Sequence, residues 1–130
     1  MSVQLNHTIV WSADKEASAR FFSEMFGLPD PKPFARFLVV PTANDVSMDF
    51  ADQDKGWNIA PQHYAFLVSE PEFDAIMARL DERAIAYWAD PQRQKAGEIN
   101  HNDGGRGVYF AGPDGHFYEA LTVPYGGNPE

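Results

Sequence analysis

The stretch that decides the fold is INHNDGGRGVYFAGPDGHFYE, which occupies residues 99–119. Within it, GPDG at residues 112–115 predicts a tight turn, because proline presets φ at the first corner and glycine supplies positive φ at the next. The residues after this turn alternate between two faces, as in a β-strand with one apolar side. The stretch is therefore predicted to form a loop, a strand, a turn and a second strand.

Glu119 is the unusual residue of the last strand. The alternation places this carboxylate on an apolar face that it shares with Phe117, Leu121 and Val123. A buried carboxylate without a partner costs roughly several kcal/mol, so Glu119 needs one. From this strand alone, an ion pair or a strand edge open to water is a simpler explanation than a metal ligand, and both stay open.

The residues before this stretch predict a strand and a helix. Residues 62–69 alternate as a strand, with His63 near its start. Ser69 and Glu72 have the spacing of a capping box, which predicts a helix ending near Ala84. Two further segments follow, a predicted strand at residues 85–89 and a long polar loop at residues 91–105.

The first half of the chain shows the same order of elements. Residues 3–11 alternate as a strand, with His7 on the side predicted to face the core. Asp14 is placed to cap a helix that runs to about Phe26, and Gly27 to end it. Two strands are predicted after it, at residues 34–40 and 46–50.

The spacing of the two halves indicates an internal duplication. His63 follows His7 by 56 residues, and the second predicted helix starts 57 residues after the first, from Asp14 to Pro71. We expect one domain, residues 1–130, made of two modules at about 1–57 and 58–125 with a short C-terminal tail. Both helices should pack on one face of the sheet, leaving the other face, with His7 and His63, to close around something.

The composition restricts the partners. The chain has 130 residues, 44% of them hydrophobic, no cysteine and a formal net charge of −9. This charge is unsuited to nucleic acid or an anionic membrane, and no segment approaches the roughly 20 apolar residues of a membrane span. The absence of cysteine excludes disulfides and thiolate ligands. We expect a cytoplasmic protein whose partner is a small molecule.

Three side chains form a candidate metal site: His7, His63 and Glu119. Singly, each has a simpler explanation, as a hydrogen-bonded core histidine or a strand-edge glutamate. If the two halves are related by a pseudo-twofold axis, the equivalent histidines converge and the carboxylate balances the charge of a divalent ion. Two imidazoles and one carboxylate suit Fe(II) and are compatible with Mn(II), Zn(II), Co(II) or Ni(II).

Three motifs connect the chain to a known family: LNH at residues 5–7, QH at residues 62–63 and GVYFAGPDGHFYE at residues 107–119. With these motifs the chain resembles the vicinal oxygen chelate superfamily, which includes glyoxalases, type I extradiol dioxygenases and bleomycin resistance proteins. The resemblance implies an α+β fold of two βαβββ modules, which form a half-open mixed-sheet barrel with helices on the outer face. It also implies that His7, His63 and Glu119 bind the metal.

Residues 99–119 are close to the extradiol dioxygenase signature, from which they depart at Gly112. By that resemblance, Tyr109 lies beside the metal and hydrogen-bonds a substrate oxygen, while His101 is a nearby group able to move protons. A buried strand aromatic and a solvated loop histidine are the simpler explanations of these two residues. The candidates for substrate binding are Arg106, Trp57 and Tyr87.

The sequence favours a metal-dependent enzyme that binds a small substrate through adjacent oxygens. Extradiol-dioxygenase-like oxygenation is the leading prediction, and Fe(II) is the favoured metal. A glyoxalase-type isomerase or lyase, a thiol transferase and a non-catalytic ligand-binding protein of the bleomycin-resistance type stay open. The resemblance predicts a homodimer, with metal ligands from one subunit or from two. His116 alternates to the face opposite Glu119, so we expect it not to be a ligand.

Overall fold

The computed structural model describes residues 2–127, which form two compact units that divide in sequence between Ala60 and Pro61. The predicted α+β class, with a mixed sheet and one helix in each half, is confirmed. No helix among the described residues is long and apolar enough to cross a bilayer. The elements are β1 (His7–Ser12), α1 (Lys15–Phe26), β2 (Lys32–Phe34), β3 (Phe37–Pro41), β4 (Ser47–Asp52), β5 (His63–Leu67), α2 (Glu70–Glu82), β6 (Gly107–Ala111) and β7 (Phe117–Leu121).

In the first unit, α1 packs on a four-stranded sheet with the order β1-β4-β3-β2, in which β1 runs parallel to β4. The predicted ends of the helix are confirmed. Asp14 accepts hydrogen bonds from the first turn, and Gly27 ends the helix in the left-handed conformation at φ +66°. Phe22 of the helix contacts Phe50 of β4, with 5.7 Å between the ring centroids, so α1 covers the Phe50 side of the sheet.

His7 is exposed, so the prediction that it lies on the core side of β1 is wrong, whereas its predicted place on the face that α1 leaves uncovered is confirmed. The strand begins at His7 rather than at Val3, which is 91% exposed. Val10 is paired with Phe50 and is fully buried, whereas His7 is exposed on the alternate face. Alternation shows which residues share a face, but the packing of α1 decides which face becomes the core.

The second unit has α2 and a three-stranded sheet with the order β5-β7-β6. The predicted capping box is confirmed, because Ser69 and Glu72 exchange hydrogen bonds between side chain and backbone. The predicted turn is also present. Gly115 has φ +83° and donates a 3.1 Å hydrogen bond to the carbonyl of Gly112. The central strand of this sheet is β7, which runs parallel to β5 and antiparallel to β6.

Two predicted strands differ from the structure. Residues 85–89 do not form a strand, since only Trp88 makes isolated bridges, to Ala96 and Tyr109. The chain turns directly afterwards, because the Asp90 carboxylate accepts the backbone N–H groups of residues 94 and 95. The strand predicted at residues 34–40 is a hairpin instead, with β2 ending at Phe34 and β3 starting at Phe37.

Candidate functional site

The candidate site of the second unit is centred on Glu119. This residue lies in the middle of β7, opposite Ala65 of β5 on one side and Tyr109 of β6 on the other. It is 1% exposed. A carboxylate in the central strand is flanked by the two neighbouring strands. Its hydrogen-bond partners must therefore be side chains of those strands or of a segment that packs over the sheet.

The buried carboxylate has hydrogen-bond partners on the neighbouring strand β5 and in the segment after β7. Nε2 of His63 donates to Oε1 of Glu119 over 2.9 Å, and the Tyr125 hydroxyl is 2.7 Å from each carboxylate oxygen. The expectation that Glu119 is buried and needs a partner is therefore met. Tyr125 was missed by the sequence analysis, since it lies beyond the last strand, where no periodicity indicates which way a side chain points.

Tyr109 extends this cluster. Its hydroxyl is 3.2 Å from the Tyr125 hydroxyl, and its ring centroid is 5.7 Å from that of His63. Burial raises the pKa of Tyr109, its hydrogen bond with Tyr125 lowers it, and the charge of Glu119 raises it again. Loss of hydration raises the pKa of Tyr125, as do its hydrogen bonds to Tyr109 and Glu119. Both phenols are therefore neutral hydrogen-bonding groups at physiological pH.

A cavity of about 380 Å³ opens beside Tyr109 within the second unit. Its volume is at the small end of the range for ligand pockets. His101 lines this cavity, so the structure brings together the two residues for which the sequence suggested catalytic roles. The other lining residues are Ala89, Asp90, Pro91, Lys95, Glu98, Ile99, Asn100 and Asn102.

His116 lies apart from this cluster, as its alternation indicated. It is 2% exposed, and its Nδ1 accepts a 2.9 Å hydrogen bond from the backbone N–H of Gln62. Its ring also contacts the edge of the Tyr64 ring, with 5.8 Å between centroids. These contacts give His116 a structural role.

His7, the remaining predicted ligand, belongs to the first unit. Its Nδ1 is 2.8 Å from the side-chain oxygen of Asn6, a contact of the kind that orients metal-binding imidazoles and leaves Nε2 available. The residue lines a cavity of about 530 Å³ together with Phe34, Phe37 and Asp49. Within the described residues, no group of three or more His, Asp or Glu side chains is assembled as a metal site. His7 as a third ligand stays a prediction.

The predicted substrate-binding residues have different surroundings. Arg106 forms ion pairs with Glu70 and Asp74 of α2, at 2.7 and 2.8 Å, and its hydrogen bonds with Asp74 and Glu70 raise its pKa. Trp57 is 71% exposed and belongs to the first unit. Tyr87 is half-buried, and its carbonyl accepts the N–H of residue 97. Their substrate roles stay predictions, and these contacts give them no support.

The donor pair His63–Glu119 fits a divalent metal. Two ligand atoms at right angles on an ion, with bonds of about 2.1 Å, lie about 3.0 Å apart. Nε2 of His63 and Oε1 of Glu119 are 2.9 Å apart. An imidazole nitrogen and a carboxylate oxygen also suit the borderline metals that the sequence analysis proposed. The spacing of these two atoms is therefore compatible with their binding one ion.

The family model of the Glyoxalase/Bleomycin resistance protein/Dioxygenase superfamily matches residues 4–120. The chain belongs to this superfamily. The structure of Oxidase ChaP-H1 is 56% identical, with a TM-score of 0.93 over 97% of this chain and 100% of that one. Oxidase ChaP-H2 is 53% identical, with a TM-score of 0.94 over 99% and 100%. Metallothiol transferase FosB of Lysinibacillus sphaericus (strain C3-41) is 30% identical over 94% of this chain and 84% of its own length.

These relatives confirm two predictions, membership of the vicinal oxygen chelate superfamily and an enzyme within it. Membership of this superfamily supports a metal-dependent enzyme that acts on a small molecule. The reactions of these relatives differ by name, since two are called oxidases and one a thiol transferase. The residues around Glu119 must therefore decide between them.

Proposed function

We propose that this protein uses a divalent metal, by preference Fe(II), and O2 to oxygenate a small substrate that binds through two neighbouring oxygens. The observation that carries this proposal is the contact of His63 with the buried Glu119 carboxylate, with 2.9 Å between Nε2 and Oε1, and the neutral phenol of Tyr109 beside it. The names of the two similar oxidases, at 56% and 53% identity, support O2 chemistry.

His63 and Glu119 would hold the ion, and His7 is the third ligand on the sequence resemblance alone. When bound, the ion supplies positive charge to the two substrate oxygens and, as Fe(II), electron transfer with O2. The buried setting of Glu119 strengthens this attraction, because few water molecules screen it. In the extradiol form of the reaction, both oxygen atoms of O2 enter the substrate and one carbon–carbon bond breaks, so no external reductant is consumed.

The cavity beside Tyr109 is the proposed place of the substrate. The Tyr109 hydroxyl would hydrogen-bond a substrate oxygen, since burial keeps this phenol protonated. His101 lines the same cavity, and its exposed imidazole would be the group that transfers a proton during the reaction. The cavity therefore offers a hydrogen-bond donor and a proton-transfer group on one wall.

Oxygen consumption tests this proposal. The protein is purified without chelator, its metal is measured by elemental analysis, and it is then loaded anaerobically with Fe(II). We expect one bound metal per site and uptake of one O2 per substrate with at least one member of a panel of catechols and related ortho-oxygenated aromatics. Labelled O2 should place both atoms in the product. Failure to take up any divalent metal would contradict the enzyme proposal and favour a ligand-binding protein.

Thiol transfer is a second candidate, supported by the 30% identity to Metallothiol transferase FosB. An anionic acceptor would require a basic site near the metal. Arg106 is already paired with Glu70 and Asp74, and Lys95 is the basic residue that lines the cavity beside Tyr109. Consumption of an added thiol by the Mn(II)-loaded protein, with no oxygen uptake by the Fe(II)-loaded form, would establish this alternative.

A further inference from the structure

Tyr125 occupies an unusual position for a residue outside the strands. The residue as a whole is 62% exposed, yet its hydroxyl is 2.7 Å from both oxygens of Glu119, which is 1% exposed. Most of the residue is thus open to solvent, while its hydroxyl reaches a buried carboxylate. This placement indicates that the hydroxyl is held by its hydrogen bonds to Glu119 and is not simply hydrated.

The backbone before Tyr125 is held in place by the loop that precedes β6. The N–H of Thr122 donates to the Arg106 carbonyl over 3.0 Å, and the N–H of Arg106 donates to Oγ1 of Thr122 over 2.9 Å. A Cβ atom on Gly105 would lie 2.7 Å from both Oγ1 of Thr122 and Cγ2 of Val123. The close approach therefore requires glycine, and it fixes the path of the tail toward Tyr125.

The hydrogen bonds at Glu119 restrict the orientation of its carboxylate. Oε1 accepts from His63 at 2.9 Å, and the Tyr125 hydroxyl is equally close to Oε1 and Oε2. Rotating the carboxylate away from His63 would lengthen at least one of these charge-assisted hydrogen bonds. The Tyr109 hydroxyl, 3.2 Å from that of Tyr125, supports the arrangement from the neighbouring strand.

We propose that Tyr125 is a positioning residue for the metal centre, whose hydroxyl holds the Glu119 carboxylate beside His63 in the orientation that binds the ion. This inference rests on the proposed function. In this role Tyr125 would act through Glu119 and would not be a ligand itself. Groups that orient a metal ligand in this way change metal affinity, because a preoriented ligand loses less freedom on binding.

The test compares Tyr125→Phe with Tyr64→Phe by calorimetric titration with Mn(II). Tyr64 lies on the opposite face of β5 from His63, and a phenylalanine would keep its ring contacts with His116 and Tyr118. We expect Tyr125→Phe to weaken Mn(II) binding by about 10–100-fold, while Tyr64→Phe retains the affinity of the natural chain. Equal affinity in all three proteins would refute the inference, and so would tighter binding by Tyr125→Phe, which would show that the hydroxyl obstructs the ion.

A second measurement separates positioning from a general loss of structure. At saturating Co(II), the visible absorption spectrum reports ligand geometry, so Tyr125→Phe should change it and Tyr64→Phe should not. Thermal unfolding in chelator checks that both variants are folded. If the natural chain binds no Mn(II), Co(II) or Fe(II), the proposed function fails together with the inference. If it binds metal, and Tyr125→Phe has the same affinity and spectrum, the inference alone fails.

Discussion

Each half of the chain has a histidine and a carboxylate at equivalent positions of a parallel strand pair, but the residues that surround them differ. In the first half, Asp49 lies on β4 two residues beyond the partner of His7. In the second half, Glu119 lies on β7 two residues beyond the partner of His63. Each parallel strand pair therefore presents one histidine and one carboxylate on the same face of the sheet.

The neighbouring strand creates the first difference. Asp49 lies opposite Val39 of β3, whereas Glu119 lies opposite Tyr109 of β6. Asp49 is half-buried and accepts a 2.7 Å hydrogen bond from the Ser47 hydroxyl, while Glu119 is almost completely buried. Asp49, opposite an apolar residue, thus has a hydrogen bond to a residue of its own strand. Glu119, opposite a phenol, belongs to a cluster of polar side chains.

The segment after the last strand creates the second difference. In the second half, this tail brings the Tyr125 hydroxyl to Glu119, and the carboxylate also contacts His63. In the first half, the contact recorded for the His7 ring is with its sequence neighbour Asn6. The repeated strand order therefore gives the two halves similar backbones. The side chains of the neighbouring strand and of the tail decide which half has a candidate catalytic centre.

The largest expected effect distinguishes two histidines of the second half. His63→Ala should abolish binding of divalent metal, because it removes a donor atom beside Glu119. His116→Ala should retain metal binding but lower the free energy of unfolding by about 1–3 kcal/mol, since the backbone N–H of Gln62 loses its acceptor. Metal titration and urea unfolding measure the two effects. Equal loss of metal binding in both variants would contradict the placement of these histidines on opposite faces.

The next effect compares the two carboxylates at equivalent register. Glu119→Gln should weaken metal binding by more than roughly 100-fold, because a neutral amide replaces the charged ligand. This loss exceeds the one expected when only a hydrogen-bond partner of a ligand is removed. Asp49→Asn is the matched change in the first half and should leave affinity unchanged. Mn(II) titration of both variants makes the comparison. A comparable loss in Asp49→Asn would show that both halves supply a charged ligand.

Alkaline pH should act on the second half, since all five tyrosines of the chain lie after residue 60. Burial raises the pKa of Tyr118 and that of Tyr64, so the folded chain holds these protons more tightly than the unfolded chain does. The free energy of unfolding should be unaffected by these phenols below about pH 10. Above it, that free energy should fall by up to about 1.4 kcal/mol per pH unit for each phenol.

Urea unfolding across this pH range, with tyrosinate absorbance recorded in parallel, measures the alkaline effect. Tyr118→Phe is the control, because it removes one phenol whose pKa is raised and leaves the titration of the lysines unchanged. We expect a shallower fall of unfolding free energy with pH in this variant. An unchanged slope would show that Tyr118 does not contribute.

The smallest effect concerns Arg106, which the sequence suggested as a substrate-binding residue. Its guanidinium lies 4.5 Å from the Phe73 ring centroid and pairs with Glu70 and Asp74. Arg106→Met should lower the free energy of unfolding by about 0.5–1 kcal/mol through loss of the cation–π contact and leave the KM for substrate unchanged. Steady-state kinetics and urea unfolding check both statements. A large rise in KM with unaltered stability would restore the substrate role.

Local chemistry explains which structural predictions succeeded. Asp14, Ser69 with Glu72, and the turn that ends at Gly115 were recognisable because each motif satisfies or redirects the backbone within a few residues. The strand predicted at residues 85–89 failed for a related reason. Its apolar pattern suits a strand, but no neighbouring strand is available along most of its length, and only Trp88 makes bridges.

The sequence by itself determined the two helices with their ends, most of the strands and the spacing of His7, His63 and Glu119, because these depend on periodicity and short-range hydrogen bonding. The tertiary structure decided that α1 covers Val10 rather than His7, and that Tyr125 reaches Glu119. Such contacts join segments without a shared period, and the packing energy that selects them depends on all the surfaces brought together. The contact of Tyr125 with the Glu119 carboxylate was therefore visible only in the folded chain, whereas the grouping of His63 with Glu119 was already a prediction from the sequence.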